Sequence, residues 1–146
     1  PRAHGGLGYA IPGVVGARLA RPEATVVGLC GDGSFAMSAG DLATVARAGG
    51  PTILIHFNNG CYGWIKALQH LECEGRYLNV DFTEDIDYAA VAAGFGLRSF
   101  RVRQAGEFAA AFQEALGHQE PAFIDVPTPS EHAVVPPVAS WRQRQM

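Results

Sequence analysis

Cysteine is scarce in this chain. There are three in 146 residues, Cys30, Cys61 and Cys73, an odd number with no CxxC spacing. A disulfide framework and a zinc site are therefore not expected, and a reducing, cytoplasmic setting fits. Charge is also sparse, 17% of residues, and the formal net charge is −3 with no basic cluster. Nucleic acid is excluded as an expected partner. No apolar run approaches the roughly 20 residues of a membrane-spanning helix, and no signal peptide opens the sequence, so no membrane association is expected. Internal repeats and low-complexity segments are absent. What the chain has instead is apolar residues, 48% of the total, enough for a domain with a buried core.

The sequence begins at Pro1 and reaches the glycine-rich "HGGLG" within four residues. A specialised loop at the very start suggests a module of a longer chain. Beyond it, apolar runs alternate with helical patterns. "TVVGLC" (25–30), "TILIHF" (52–57), "SFRV" (99–102) and "AFIDVP" (122–127) read as strands. Helices are expected over 9–20, with Pro12 in the first turn, and over 38–50, opened by Ser-x-x-Asp and closed by Gly-Gly-Pro. Further helices are expected over 62–72, over 87–96 behind an Asp cap, and over 105–117 with Phe108, Phe112 and Leu116 on one face. Strands that are apolar throughout and alternate with helices predict an α/β fold, a three-layer α/β/α sandwich on a mainly parallel sheet. The expected division is a domain over 1–128 and an extended, proline-bearing tail over 129–146.

In such a sheet the strand C-termini share one edge, and ligands bind there. "GDGSF" (31–35) follows the first strand, and Asn58-Asn59 follows the second, with 24 residues between Gly33 and Asn58. That spacing holds one helix and one returning strand, so the two loops sit on neighbouring strands. Asp32 offers an anionic oxygen and Asn59 a neutral one. Oxygen ligands suit Mg²⁺ or Ca²⁺ rather than zinc. Gly31 and Gly33 let the backbone approach a ligand closely, and backbone N–H groups attract phosphate. Arg47 is the nearest downstream basic residue. A divalent ion would therefore have to neutralise a bound diphosphate. The competing readings are a plain turn at GDG, a hairpin turn at Asn59-Gly60, and a dinucleotide site. "GLCGDG" is not GxGxxG, and "GGLG" follows no strand pattern. Cys30 reads as a buried strand residue and His56 as a core histidine. His4 is better placed to face a substrate. His70, His118 and His132 read as surface residues. Trp64 and Ile65 are open between core, substrate lining and interface.

GDG, 24 residues and then NN resembles the metal and diphosphate motif of thiamine-diphosphate-dependent enzymes. The flanking "HGGLGYAIPGVVGARLARPEATVVGLCGDGSF" is similar to the acetolactate synthase, benzoylformate decarboxylase and pyruvate decarboxylase group, as is the "VPPVASW" tail. The resemblance implies thiamine diphosphate and Mg²⁺ as cofactors. Asp32 and Asn59 would ligate the metal through side chains and Cys61 through its carbonyl. Gly31, Gly33 and Ser34 would line the diphosphate. Gly5, Gly6 and Leu7 would meet the aminopyrimidine, the Gly5 carbonyl accepting from its amino group and Leu7 bending the cofactor. Tyr62 and Gly63 complete the implied set. The Glu that activates the aminopyrimidine belongs, in the family, to a separate pyrimidine-binding module of the same or a neighbouring chain. No catalytic acid or base is therefore expected among these residues. The implied whole is a homo-oligomeric decarboxylase or carboligase acting on a small 2-oxo acid, most like acetolactate synthase. The alternatives are a benzoylformate-decarboxylase-like lyase, or a cofactor-binding fragment or split subunit without chemistry of its own.

Overall fold

In the computed structural model, residues 5–82 and 85–130 are described. They fall into two compact units. The first takes in the described residues up to Asn58 together with Asp87–Pro127. The second takes in Asn59–Ile86 and the described residues after Pro127. Most of the expected tail, and His4 and His132, lie outside the described residues.

The first unit is an α/β sandwich. Its strands are β1 (Val26–Gly31), β2 (Thr52–Asn58), β3 (Arg98–Arg101) and β4 (Ala122–Pro127), all parallel in the order β1-β2-β4-β3. Its helices are α1 (Ala10–Ala20), α2 (Asp32–Ser38), α3 (Leu42–Ala48), α5 (Tyr88–Gly94) and α6 (Ala105–Gly117). α4 (Gly63–Glu72) belongs to the second unit. The parallel sheet with helices in the crossovers is the expected fold class. The expected placing of the two loops on neighbouring strands also holds, because β1 pairs directly with β2.

Two cores lie on opposite sheet faces. On one, Leu54 and Phe123 pack with Ile11 and Val14 of α1, Leu42 and Val45 of α3, and Tyr88 and Ala92 of α5. On the other, Ile53, Ile55, Ala122 and Ile124 pack against Phe108, Phe112 and Leu116, the stripe expected on α6. β2 and β4 lie in the middle of the sheet and are buried along most of their length.

β1 departs from the expectation of strands buried throughout. It is an edge strand, and Val27 and Leu29 are 44% and 58% exposed. The strand therefore alternates, one face exposing Val27 and Leu29 and the other carrying Gly28 and Cys30 into the core.

A second difference concerns the helix expected to begin at Ser38. The helical chain already starts at Asp32. It runs through α2 and a single 3₁₀ turn, Ala39–Asp41, into α3. The Ser-x-x-Asp cap is not made. Ser38 Oγ instead donates to the Ser34 carbonyl at 3.2 Å, a back-bond inside the helix. The closing punctuation does hold. Gly49 and Gly50 take φ of 62° and 68°, left-handed values that end α3 before Pro51. Asp87 caps α5 as expected, accepting from Ala90 N at 2.9 Å.

Candidate functional site

Gly31 closes β1 in extended conformation, φ −114° and ψ 179°, and the chain turns directly into α2. Asp32 is thus the first residue of a helix rather than the middle of a loop. Its residue exposure is 3%. Phe35, one turn on, is equally buried and anchors α2 by ring contacts with Tyr88 at 5.2 Å and Phe123 at 5.4 Å. A buried carboxylate is costly unless it meets hydrogen-bond donors or cations, so its surroundings decide its use.

Two further polar side chains lie beneath it. His56 of β2 and Asp125 of β4 are neighbours across the sheet in register, and both are fully buried. Their side chains meet at 2.8 Å, His56 Nδ1 to Asp125 Oδ1. The other ring nitrogen, Nε2, stands 3.4 Å from Asp32 Oδ1. The imidazole is walled by Tyr88, Phe35 and Phe123, with ring centroids 4.4, 5.2 and 5.6 Å away. His56 is the core histidine expected. Its link from Asp125 to Asp32 was not. The signal lay in "TILIHF" and "AFIDVP", where one ionisable residue interrupts each otherwise apolar buried strand; such residues must find partners, here each other.

Cys30 completes the same row, paired with His56 in the β1–β2 register. Burial, with the Asp32 and Asp125 carboxylates adding to it, pushes its thiol up to about 12. It stays protonated and is the inert strand cysteine expected.

The glycine-rich stretch reaches α2 directly. Gly8 N donates to Ser34 Oγ at 3.3 Å. Gly8 has φ of +81°, and a Cβ there would stand 3.2 Å from Met37 Cβ, so glycine is required for this approach. Two of the expected cofactor-contacting groups, "GGLG" and the Gly33-Ser34 pair, are thereby held together. A Cβ on Gly5 or Gly6 would meet nothing within 4 Å, and Leu7 is 63% exposed. This segment presents backbone and one apolar side chain outward.

In the second unit, Asn59 follows the last residue of β2 and Gly60 turns at φ +67°. Asn59 Oδ1 accepts from Cys61 N at 3.1 Å and from Cys61 Sγ at 3.4 Å, an Asx turn that orients the amide. This is not the hairpin turn considered for Asn59-Gly60, because β2 pairs only in parallel. Cys61 makes an antiparallel bridge with Asp81. The bonds of that bridge run from Tyr62 N to Val80 O and from Phe82 N to Gly60 O, not through Cys61 itself. Cys61 Sγ lies 3.2 Å from Ser130 Oγ. Gly63 starts α4 and is buried. Tyr62, Trp64 and Ile65 are 41%, 54% and 51% exposed, which removes the core reading for the last two.

Among the described residues no group of three or more His, Cys, Asp or Glu side chains is arranged to hold a metal ion. In the first unit Asp32 offers one buried carboxylate at the end of β1, and in the second Asn59 offers an amide oxygen. Oxygen donors of this kind suit Mg²⁺ rather than zinc.

Comparison with known proteins identifies the family. Residues 1–126 match the family model described as "Thiamine pyrophosphate enzyme, C-terminal TPP binding domain". An acetolactate synthase of Arthrospira platensis is 33% identical over 92% of this chain and 24% of its own length. A pyruvate oxidase of Lactiplantibacillus plantarum is 36% identical over 82% of this chain and 20% of its own. The solved benzoylformate decarboxylase of Polynucleobacter necessarius superposes with a TM-score of 0.81 at 32% identity, covering 88% of this chain and 25% of that one. The chain thus spans about a quarter of the length of these relatives, and the cofactors of their family are thiamine pyrophosphate and Mg²⁺. This chain belongs to the thiamine pyrophosphate enzymes, as a C-terminal thiamine pyrophosphate-binding domain.

Proposed function

We propose that the chain is the diphosphate- and Mg²⁺-binding module of a 2-oxo-acid decarboxylase or carboligase, most like acetolactate synthase. The observation that carries the reading is the buried Asp32 at the end of β1, with the Gly5–Gly8 segment fastened to Ser34 beside it. Asp32 is the anionic metal ligand. Asn59 adds an amide oxygen and Cys61 a backbone carbonyl, in a turn already ordered by the Asn59–Cys61 bond. An amide oxygen has two lone pairs, so Asn59 Oδ1 can keep that bond and still face a cation. Gly31, Gly33 and Ser34 take the diphosphate, and Tyr62 and Gly63 complete the proposed set. Gly5 and Gly6 offer backbone to the aminopyrimidine, and Leu7 supports the bend between the rings.

When bound, the thiazolium serves as the electron sink for decarboxylation, and the protein supplies position and environment. This chain's residues hold the metal and diphosphate and exclude water from that end. A pyrimidine-binding module of the same or a neighbouring chain supplies the activating carboxyl group, in a homo-oligomer. No helix among the described residues is long and apolar enough to cross a membrane.

Benzoylformate-decarboxylase-like lyase activity is the second reading, supported by the structural likeness to that enzyme. Two measurements on the full-length protein test these assignments. Asp32→Asn should abolish metal-dependent thiamine diphosphate binding in calorimetry, and unchanged affinity would remove Asp32 from the metal site. Product analysis with pyruvate and with benzoylformate separates the two reactions, acetolactate supporting the first and benzaldehyde the second.

A further inference from the structure

The buried row beneath Asp32 has a use beyond packing. Fully buried ionisable side chains in a sheet are replaceable by apolar residues of similar volume, often with no loss of stability. Here two of them, His56 and Asp125, stand side by side on the two central strands. Their hydrogen bond fixes the ring through Nδ1 at 2.8 Å. Phe35, Tyr88 and Phe123 fix its plane. Neither nitrogen can swing away. The Nε2 edge is therefore presented at one place, 3.4 Å from Asp32 Oδ1.

We propose that His56, held by Asp125, is a positioning residue for the Asp32 carboxylate. The ring edge stands 3.4 Å from Oδ1, within ion-pair distance but outside hydrogen-bond geometry, and so limits the torsions open to the carboxylate, which determines how its oxygens are offered to a cation at the end of β1. This inference rests on the reading of Asp32 as a metal ligand. It assigns to two strand residues that do not touch the cofactor a part in metal affinity and in metal choice. Mg²⁺ demands near-ideal octahedral geometry, whereas Ca²⁺ accepts a flexible ligand arrangement. A carboxylate that loses its fixed torsion should therefore lose Mg²⁺ more than Ca²⁺. Partners that orient a ligating side chain are typically worth 10–100-fold in metal affinity.

The test uses the full-length protein and the half-saturating concentrations of Mg²⁺ and, separately, Ca²⁺ for thiamine diphosphate binding, followed by quenching of tryptophan fluorescence. His56→Leu removes both ring nitrogens. It should raise the Mg²⁺ value roughly ten-fold, with a distinctly smaller rise for Ca²⁺. His56→Gln places an amide nitrogen near the Nε2 position and should recover part of the Mg²⁺ loss. His56→Asn reaches only the Nδ1 position, towards Asp125, and should not. Should His56→Leu fail to fold, the Gln and Asn variants carry the comparison alone. Unchanged Mg²⁺ dependence in His56→Leu, equal shifts for both ions, or equal values for Gln and Asn would each overturn the proposal. Asp32→Asn runs beside them. If it abolishes metal dependence while the His56 variants behave as the parent, the positioning role falls and the metal site stands. If Asp32→Asn itself retains metal-dependent binding, the site assignment falls, and the positioning role with it.

Discussion

Leu7 occupies a position where stability and activity separate. Its side chain is 63% exposed, and it follows Gly5 and Gly6, where a Cβ would meet nothing within 4 Å. Truncating a buried leucine costs about 2–5 kcal/mol, but an exposed one has little packing to lose. Leu7→Ala should therefore leave the thermal midpoint unchanged and lower kcat of the full-length protein more than its thiamine diphosphate affinity. Equal turnover of variant and parent would make Leu7 an ordinary surface residue. Asp32 could be found in the sequence because its tripeptide and spacing are distinctive. Asp125 could not, because one Asp in an apolar strand says that a partner exists but not which one. The partner was set by register: β2 pairs with β4, although 69 residues separate His56 from Asp125. Pairing of that kind depends on the order of strands in the sheet, which local pattern does not encode.

Among the elements, α6 and β4 occupy the residues expected, because each has an unambiguous period and clear punctuation. α2 was hidden because glycine and aspartate are poor helix formers, and "GDGS" carries the chemistry of a turn. Burial of Phe35 against Tyr88 and Phe123 overrides that preference. The α1–β1 contact rests on a glycine whose role only the structure reveals. A Cβ on Gly28 would stand 2.5 Å from Val14 Cγ1 and 2.9 Å from Leu54 Cδ2, both in the core. α1 can lie this close to the sheet only because β1 has no side chain at that position. Gly28→Ala should destabilise the fold by about 1–3 kcal/mol through overpacking. The shift should appear as a lower urea midpoint with an unchanged m-value. A midpoint equal to the parent's would mean that α1 moves off the sheet without cost. Because α1 follows the Gly5–Gly8 segment, thiamine diphosphate affinity should fall in the same variant.

At the scale of the whole molecule, exposed apolar side chains occur in both units. Leu7, Val27 and Leu29 are open in the first, and Tyr62, Trp64 and Leu78 in the second. Apolar side chains of this size are ordinarily exposed singly, whereas Val27 and Leu29 share one face of the edge strand β1, and adjoining exposed apolar side chains mark a surface suited to a partner. The chain spans about a quarter of the length of its relatives, and the proposed function gives it the diphosphate end of the cofactor. The activating carboxyl group is expected from a pyrimidine-binding module. The isolated 146-residue chain should therefore bind thiamine diphosphate weakly and turn over neither pyruvate nor benzoylformate. It should also self-associate as concentration rises, because its uncovered apolar surface has no other partner in dilute buffer. Sedimentation velocity across a concentration series checks the association. Steady-state assays with Mg²⁺ and cofactor, run on the 146-residue chain and on the full-length protein, check the activity. Turnover by the short chain at the full-length rate would place the activating group within these residues and end the half-site account. A concentration-independent monomer would instead leave that account standing and show that the exposed side chains do not drive assembly.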